Sequence, residues 1–263
     1  MRIALIGYGR MGRILETTAL ERGHSIACVV EPFLKGAPPG GGAALYPSLA
    51  EALAAGALGA ADAALDFTGP ASAPRNIEAL AAARVPLVEG STGWHDKLDE
   101  ARAAVTRAGA ALLWSSNFSL GVNLFYRIAA YAARLASPFP DYDAACFEIH
   151  HNKKADSPSG TAKTLAETVL VNLDRKRDAV YDKLDRPPLP GELHVASLRV
   201  GSAPGLHSLI LDSAADTITL THNARSREGF AAGAVFAAEW LAGKPRQGVF
   251  TMDDALADVL GAS

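Results

Sequence analysis

Met1-Arg2-Ile3-Ala4-Leu5-Ile6-Gly7-Tyr8-Gly9-Arg10-Met11-Gly12 is the stretch on which the fold turns. Met1 to Ile6 is a short apolar run, glycines 7, 9 and 12 follow it at once, and Met11, Ile14, Leu15, Thr18 and Ala19 then fall at helical spacing. Strand, turn and helix in that order give each glycine a mechanical reason. Gly7 makes the tight turn, Gly9 lets a pyrophosphate approach the backbone, and Gly12 lets the helix pack on the strand. A second strand, Ser25 to Val30, ends in Glu31, placed to accept both hydroxyls of an adenosine ribose. Glu31 therefore favours NADH. Lys35 and Arg10 lie close enough in sequence to neutralise the extra phosphate of NADPH, so both cofactors stay open.

Beyond Glu31 the Gly- and Pro-rich residues 36–47 read as an irregular loop, followed by a short helix from about Ser48. Strand-like runs at 63–67, 87–89 and 111–114 alternate with helical patterns near 73–83 and 95–107. Such alternation predicts an α/β fold with a Rossmann-type parallel sheet, whose strand carboxyl ends carry the ligand. Gly90-Ser91-Thr92-Gly93 sits at one of those ends and suits a loop that a flat ring approaches; Ser115-Ser116-Asn117-Phe118 sits at another.

After Asn117 the pattern changes: a helix over 120–136, a strand over 144–150, a second helix, then a charged, proline-bearing loop at 174–190. Three strand-like runs follow at 194–200, 206–211 and 217–222 with no helix between them, which predicts a mixed or antiparallel open sheet. The expected division is a dinucleotide-binding domain from 1–117 and 228–263 and an α+β substrate-binding and oligomerisation domain at 118–227. The last helices, 230–241 and 252–260, are expected to pack back on the first.

The second domain carries the densest chemistry, in Glu148-Ile149-His150-His151-Asn152-Lys153-Lys154-Ala155-Asp156-Ser157-Pro158-Ser159-Gly160-Thr161. A β-prone strand ends in two histidines and two lysines, and a helix begins near Ser159, with Asp156, Ser157 or Ser159 as its N-cap. Unpaired amides and the positive dipole end at Ser159, Gly160 and Thr161 make a carboxylate or phosphate site. A merely solvated basic loop would explain any one of these residues, but not the whole constellation.

Composition narrows the classes further. Hydrophobic residues make up 49% of the 263, enough for a large core, and the net charge of −3 supplies no basic field for nucleic acid. Cys28 and Cys146, each inside a strand-like run, give neither a disulfide framework nor a metal spacing and read as buried thiols. No membrane span or signal pattern is visible, so a soluble cytoplasmic protein is expected.

Taken together, these motifs resemble the dihydrodipicolinate reductase family of lysine biosynthesis. The resemblance runs through Gly7–Gly12, Gly90–Gly93, Ser116–Asn123, Glu148–Thr161, Arg199, Gly201, Gly205 and His207, and then His222, Ala224, Arg227 and 230–234. It implies that a cyclic imine dicarboxylate is reduced by NADH or NADPH, with His150 as catalytic acid/base and Lys154 as proton donor. His151, Ser159, Gly160 and Thr161 would bind the substrate. Gly7, Tyr8, Gly9, Arg10, Met11, Gly12, Glu31, Gly90, Ser91, Thr92, Ser115, Ser116, Asn117 and Phe118 would contact the cofactor. No metal is implied, and a homotetramer formed through the second sheet is. Many members carry Arg and His at the positions of Asn152 and Lys153, so those two receive no role. The first glycine loop is also one residue shorter here than in many relatives.

Two other readings compete. Another two-domain reductase of amino-acid metabolism would share the glycine fingerprint and Glu31, although an acylating one needs an activated cysteine that neither Cys28 nor Cys146 provides. A non-catalytic NAD(P)-sensing regulator would leave the His/Lys cluster idle.

Overall fold

Strands β1 (Arg2–Ile6), β2 (Ser25–Val30), β4 (Ala63–Asp66), β5 (Leu87–Glu89) and β6 (Ala111–Trp114) pair in parallel in a computed structural model that describes residues 1–181 and 183–261. Two three-residue edge strands, β3 (Ala44–Tyr46) and β12 (Gly248–Phe250), complete a sheet of order β12-β6-β5-β4-β1-β2-β3. Neither edge strand was legible in the sequence: β3 lies inside the segment read as irregular loop, and three residues are too few for alternation to register.

The sheet is buried on both faces, which is why Ile3, Ala4, Leu5 and Ile6 are continuously apolar. On one face Ile3, Leu5, Leu65 and Val88 pack on α1 (Arg10–Glu21), α7 (Glu228–Ala242) and α8 (Met252–Leu260). On the other, Ala4, Ile6, Ala64 and Leu87 meet α2 (Leu49–Ala54), α3 (Ala73–Ala82) and α4 (Leu98–Ala108). Small residues let α7 lie close to the strands. Its Gly233 has no room for a Cβ, which would land inside the van der Waals shell of the Phe118 carbonyl.

These elements form one compact unit, Met1–Leu120 with Arg227–Ser263; Gly121–Ser226 forms the other. In the second unit the sheet order is β11 (Thr217–Asn223), β10 (Leu206–Asp212), β7 (Asp143–His150), β9 (Glu192–Arg199) and β8 (Asp178–Tyr181). The sheet is mixed: β9 runs parallel to β7 and β8, while β10 is antiparallel to β7 and β11. The segment read as an exposed charged loop contributes β8, a four-residue edge strand that its flanking charges and prolines hide. Phe125, Ala129 and Ala133 of α5 (Leu120–Ala136) and Leu165, Ala166 and Val169 of α6 (Gly160–Asn172) pack against Cys146, Val195 and Leu209 of the sheet. Both cysteines are free and buried.

Candidate active site

In the first unit the glycine turn is built as its sequence requires. Gly7 has φ +89°, a conformation that side chains resist, and a Cβ on Gly12 would collide with the Gly7 carbonyl. Gly9 has open space around it and stands at the N-cap of α1 with no side chain capping the helix, leaving the first amides for an anion. Glu31 is fixed at the end of β2 by two backbone donors: Tyr8 N–H to Oε2 at 2.7 Å and Phe33 N–H to Oε1 at 3.0 Å. Gly7, Gly9, Glu31, Pro32, Thr68 and Arg75 help line a cavity of about 530 Å³. A dinucleotide fits these groups: open backbone for the pyrophosphate and a fixed carboxylate for the ribose.

Several residues read as cofactor contacts do something else with their side chains. The Tyr8 ring is buried and its hydroxyl donates to Glu16, while Glu16 also accepts from Gly40 N–H, tying the 36–43 segment to α1. Phe118 is a core residue beside Phe67. Gly90 has no room for a side chain, because the Phe67 ring fills the space a Cβ would take. Arg10, Thr92 and Ser116 are exposed, Met11 packs on the core, and Ser91 is buried with its N–H donated to Glu89 Oε1 at 2.7 Å. Ser115 Oγ and Asn117 bond each other, Oγ donating to the Asn117 carbonyl at 2.8 Å.

In the second unit the strand pleat does the assembling. Glu148 and His150 are two apart on β7, so both point to its buried face. His207 on β10 is the register partner of Glu148, and Arg199 on β9 is that of His150. Glu148, wholly buried, thereby sits among cations and donors. Its Oε1 accepts from Arg199 Nη2 and from Ser159 N–H, both at 3.0 Å. Its Oε2 lies 3.0 Å from His150 Nδ1 and 3.5 Å from His207 Nε2, off the line a hydrogen bond needs. Burial alone would raise this carboxyl, but the contacts from His207, Ser159 and Arg199 outweigh it and hold it well below the usual range.

His150 is also shifted down, which for an imidazole favours the neutral form. Burial is the largest cause, with His207, Lys154 and Arg199 adding repulsion against the attraction of Glu148, and its pKa falls to about 4. At neutral pH the imidazole is therefore uncharged. Lys154 Nζ pairs with Asp156 Oδ1 at 2.7 Å. Ser159 is the N-cap of α6: its hydroxyl accepts from Ala162 N–H at 3.1 Å and contacts His207 Nε2 at 3.2 Å. Because the Ser159 N–H is bonded to Glu148, the helix start offers Gly160, which is exposed with nothing within 4 Å of its Cβ position. His151 is half-buried, and no partner meets its Nδ1.

Reasoning on sequence gave no role to Glu148, Arg199 or His207. The available signal was an acid on the inward face of an alternating strand, which cannot stay ionised there without donors on its neighbours. Glu148, His150 and His207 also hold their ligand atoms within 4.8 Å of one another, but Arg199 already occupies the carboxylate, which disfavours a further cation.

Residues 1–118 match the family model described as dihydrodipicolinate reductase, N-terminus, and residues 121–256 match dihydrodipicolinate reductase, C-terminus. A 4-hydroxy-tetrahydrodipicolinate reductase of Christiangramia forsetii is 36% identical over 259 residues, covering 98% of this chain and 99% of that one. The enzyme of the same name from Archaeoglobus fulgidus is 36% identical over 270 residues, covering 97% and 100%. Among solved structures, dipicolinate-bound dihydrodipicolinate reductase from Paenisporosarcina sp. TG-14 superposes with a TM-score of 0.76 at 20% identity, covering 95% of this chain and 97% of that one. The C. glutamicum DAP dehydrogenase in complex with DAP has a TM-score of 0.59 at 14% identity, covering 99% of this chain and 98% of that one.

Proposed function

The chain belongs to the dihydrodipicolinate reductase family, and from that premise we propose that it is the NAD(P)H-dependent enzyme reducing 4-hydroxy-tetrahydrodipicolinate to tetrahydrodipicolinate, in the diaminopimelate route to lysine. The observation that carries the reading is the cluster of buried Glu148, His150 and His207 with half-buried Arg199 beside the start of α6, with Lys154 close enough to bear on the charge of His150.

A bound nicotinamide supplies hydride. The residues of this chain do the rest. A substrate with two carboxylates needs fixed cations and amides, and Gly160, Thr161, His151 and Lys154 are the groups assigned to them. Hydride addition to a ring carbon conjugated with the imine pushes electrons toward the ring nitrogen, and Lys154 is the charged donor assigned to meet that charge. His150, neutral in the free chain, is the acceptor and shuttle; a dianion beside it raises its affinity for a proton. Its acid/base role therefore begins with substrate bound.

Gly7, Gly9, Arg10, Met11, Gly12 and Tyr8 would hold the cofactor through backbone, Glu31 the adenosine ribose, and Gly90–Thr92 with Ser115–Phe118 the nicotinamide half. Fixation of Glu31 by two amides supports NADH over NADPH, because the carboxylate cannot turn away from a ribose phosphate. A homotetramer through the second sheet is supported by the exposed apolar side chains Leu198, Val200 and Ile218 on or beside its strands, and light scattering tests it. No helix among the described residues is long and apolar enough to cross a membrane; a cytoplasmic location suits a consumer of reduced nicotinamide cofactor.

The test is to generate the cyclic imine in situ, add NADH or NADPH, and follow loss of the reduced cofactor. Oxidation that depends on the imine supports the reading. Cofactor binding without turnover would favour the sensing regulator instead.

A further inference from the structure

Asp66 and Glu89 are register partners on β4 and β5, and neither is exposed to any extent. Their strand positions match those of Ala64 and Leu87, so both carboxyls point to the face that carries α3 and α4. Two neighbouring buried carboxylates cannot both keep a charge. Their hydrogen bonds divide unequally. Asp66 accepts from Thr68 N–H at 2.9 Å, Thr68 Oγ1 at 2.7 Å and Asn76 Nδ2 at 2.7 Å. Glu89 Oε1 accepts from Ser91 N–H, while Oε2 is buried with no donor; Trp114, its register neighbour on β6, leaves its own Nε1 unpaired and so does not supply one. A proton on Glu89, donated to Asp66, accounts for the orphaned oxygen.

We propose that Asp66 and Glu89 share one proton at neutral pH, and that this acid–carboxylate pair is a positioning device tying the loop after β4 to the loop after β5. Thr68 on the first loop lines the cavity with Gly9 and Glu31, and Ser91 on the second belongs to the segment assigned to the nicotinamide. The inference rests on the cofactor assignment above. Among the described residues no other charged side chain bonds either carboxyl. Arg75 and Glu78 of α3 and Asp99, Glu100, Arg102 and Arg107 of α4 are exposed. His95, half-buried, stacks on Trp94, and among the described residues none of these side chains bonds either carboxyl. Burial, and then the negative charge of Asp66, push Glu89 up to about 9. Above that pH the pair repels and the loops lose their tie.

The experiment compares wild type, Glu89→Gln and Glu89→Leu as full chains, titrated with NADH by fluorescence. Wild type is expected to bind roughly tenfold more weakly at about pH 10 than at about pH 7. Glu89→Gln, which keeps a donor toward Asp66 and an acceptor toward Ser91, should bind like wild type at pH 7 and lose the alkaline weakening. Glu89→Leu removes the link between Asp66 and the loop after β5 and should bind at least about tenfold more weakly at both. Infrared spectra at pH 7 should show the carbonyl stretch of an un-ionised carboxylic acid that Glu89→Gln abolishes. The same alkaline weakening in Glu89→Gln, or no acid band in wild type, overturns the proposal. A wild-type chain that binds no reduced cofactor at pH 7 overturns the cofactor assignment, and this inference with it, whereas binding without the pH dependence sinks this inference alone.

Discussion

Glu148 Oε2 lies 3.0 Å from His150 Nδ1, two residues along the same strand, with the carboxylate fully buried and its other oxygen bonded to Arg199 and to the amide of Ser159, the N-cap of α6. One acid thus holds a guanidinium and a helix start by hydrogen bonds and lies against an imidazole. Removing its charge leaves the half-buried Arg199 guanidinium without its carboxylate, a loss of about 3 kcal/mol in stability at most. Glu148→Gln should therefore lower Tm and cut kcat/KM for the imine by about a hundredfold, with cofactor affinity nearly unchanged. Steady-state kinetics and thermal melts check both. A variant with wild-type kcat/KM would show that the carboxylate does not orient His150.

His150→Gln should lower turnover by about a hundred- to ten-thousand-fold, as loss of a positioned proton carrier does, with little effect on NADH binding. Its pH signature is independent of activity. His150 titrates near 4 when folded against 6.5 in an exposed chain, so between those values the unfolded state binds more protons. Stability due to this group is fully present above 6.5 and is lost as pH falls toward 4. On acidification from about pH 7 to pH 4, wild type should lose about 5 °C more in Tm than His150→Gln, read by calorimetry.

Glu31 sets the cofactor preference through a carboxylate that two amides hold still. NADH should be used with kcat/KM about tenfold above NADPH, since a like charge a few ångströms away costs about 1 kcal/mol at a solvated site. Glu31→Arg should reverse the order. Parallel assays with the two cofactors decide it, and equal use by wild type would mean that the phosphate avoids Glu31 altogether.

Much of this was written in local pattern. The run from Met1 to Gly12 carries its strand, turn and helix within twelve residues, and Ser159 is a cap because a short polar side chain precedes a helical run. What could not be read depends on partners far along the chain. Glu148 acquires meaning only when β10 brings His207 opposite it and β9 brings Arg199 beside His150, about 50 residues away in sequence. Asp66 and Glu89 look like two solvated strand-end acids until strand pairing puts them side by side inside the protein. Gly90 also has a packing reason that its loop does not reveal, since the Phe67 ring occupies the place of a side chain there. The edge strands β3, β8 and β12 are three or four residues long, held by neighbours and not by any periodicity of their own.

Gly233 gives the last case, where one missing methylene decides whether a helix can dock. Its Cβ position falls inside the Phe118 carbonyl, with Leu120 N also close, so an added methyl must push α7 off the segment that follows β6. Gly229, one turn earlier on the same helix, meets nothing nearer than Ser119 Oγ at 3.8 Å. Glycine is also the poorer helix former by about 1 kcal/mol, so propensity alone favours alanine at both positions. Gly229→Ala should accordingly be neutral or slightly stabilising, whereas Gly233→Ala should lose about 3 kcal/mol by overpacking. Urea unfolding of the two variants separates helix propensity from helix docking: equal midpoints would mean that α7 can shift freely, and that Phe118 is not held by it.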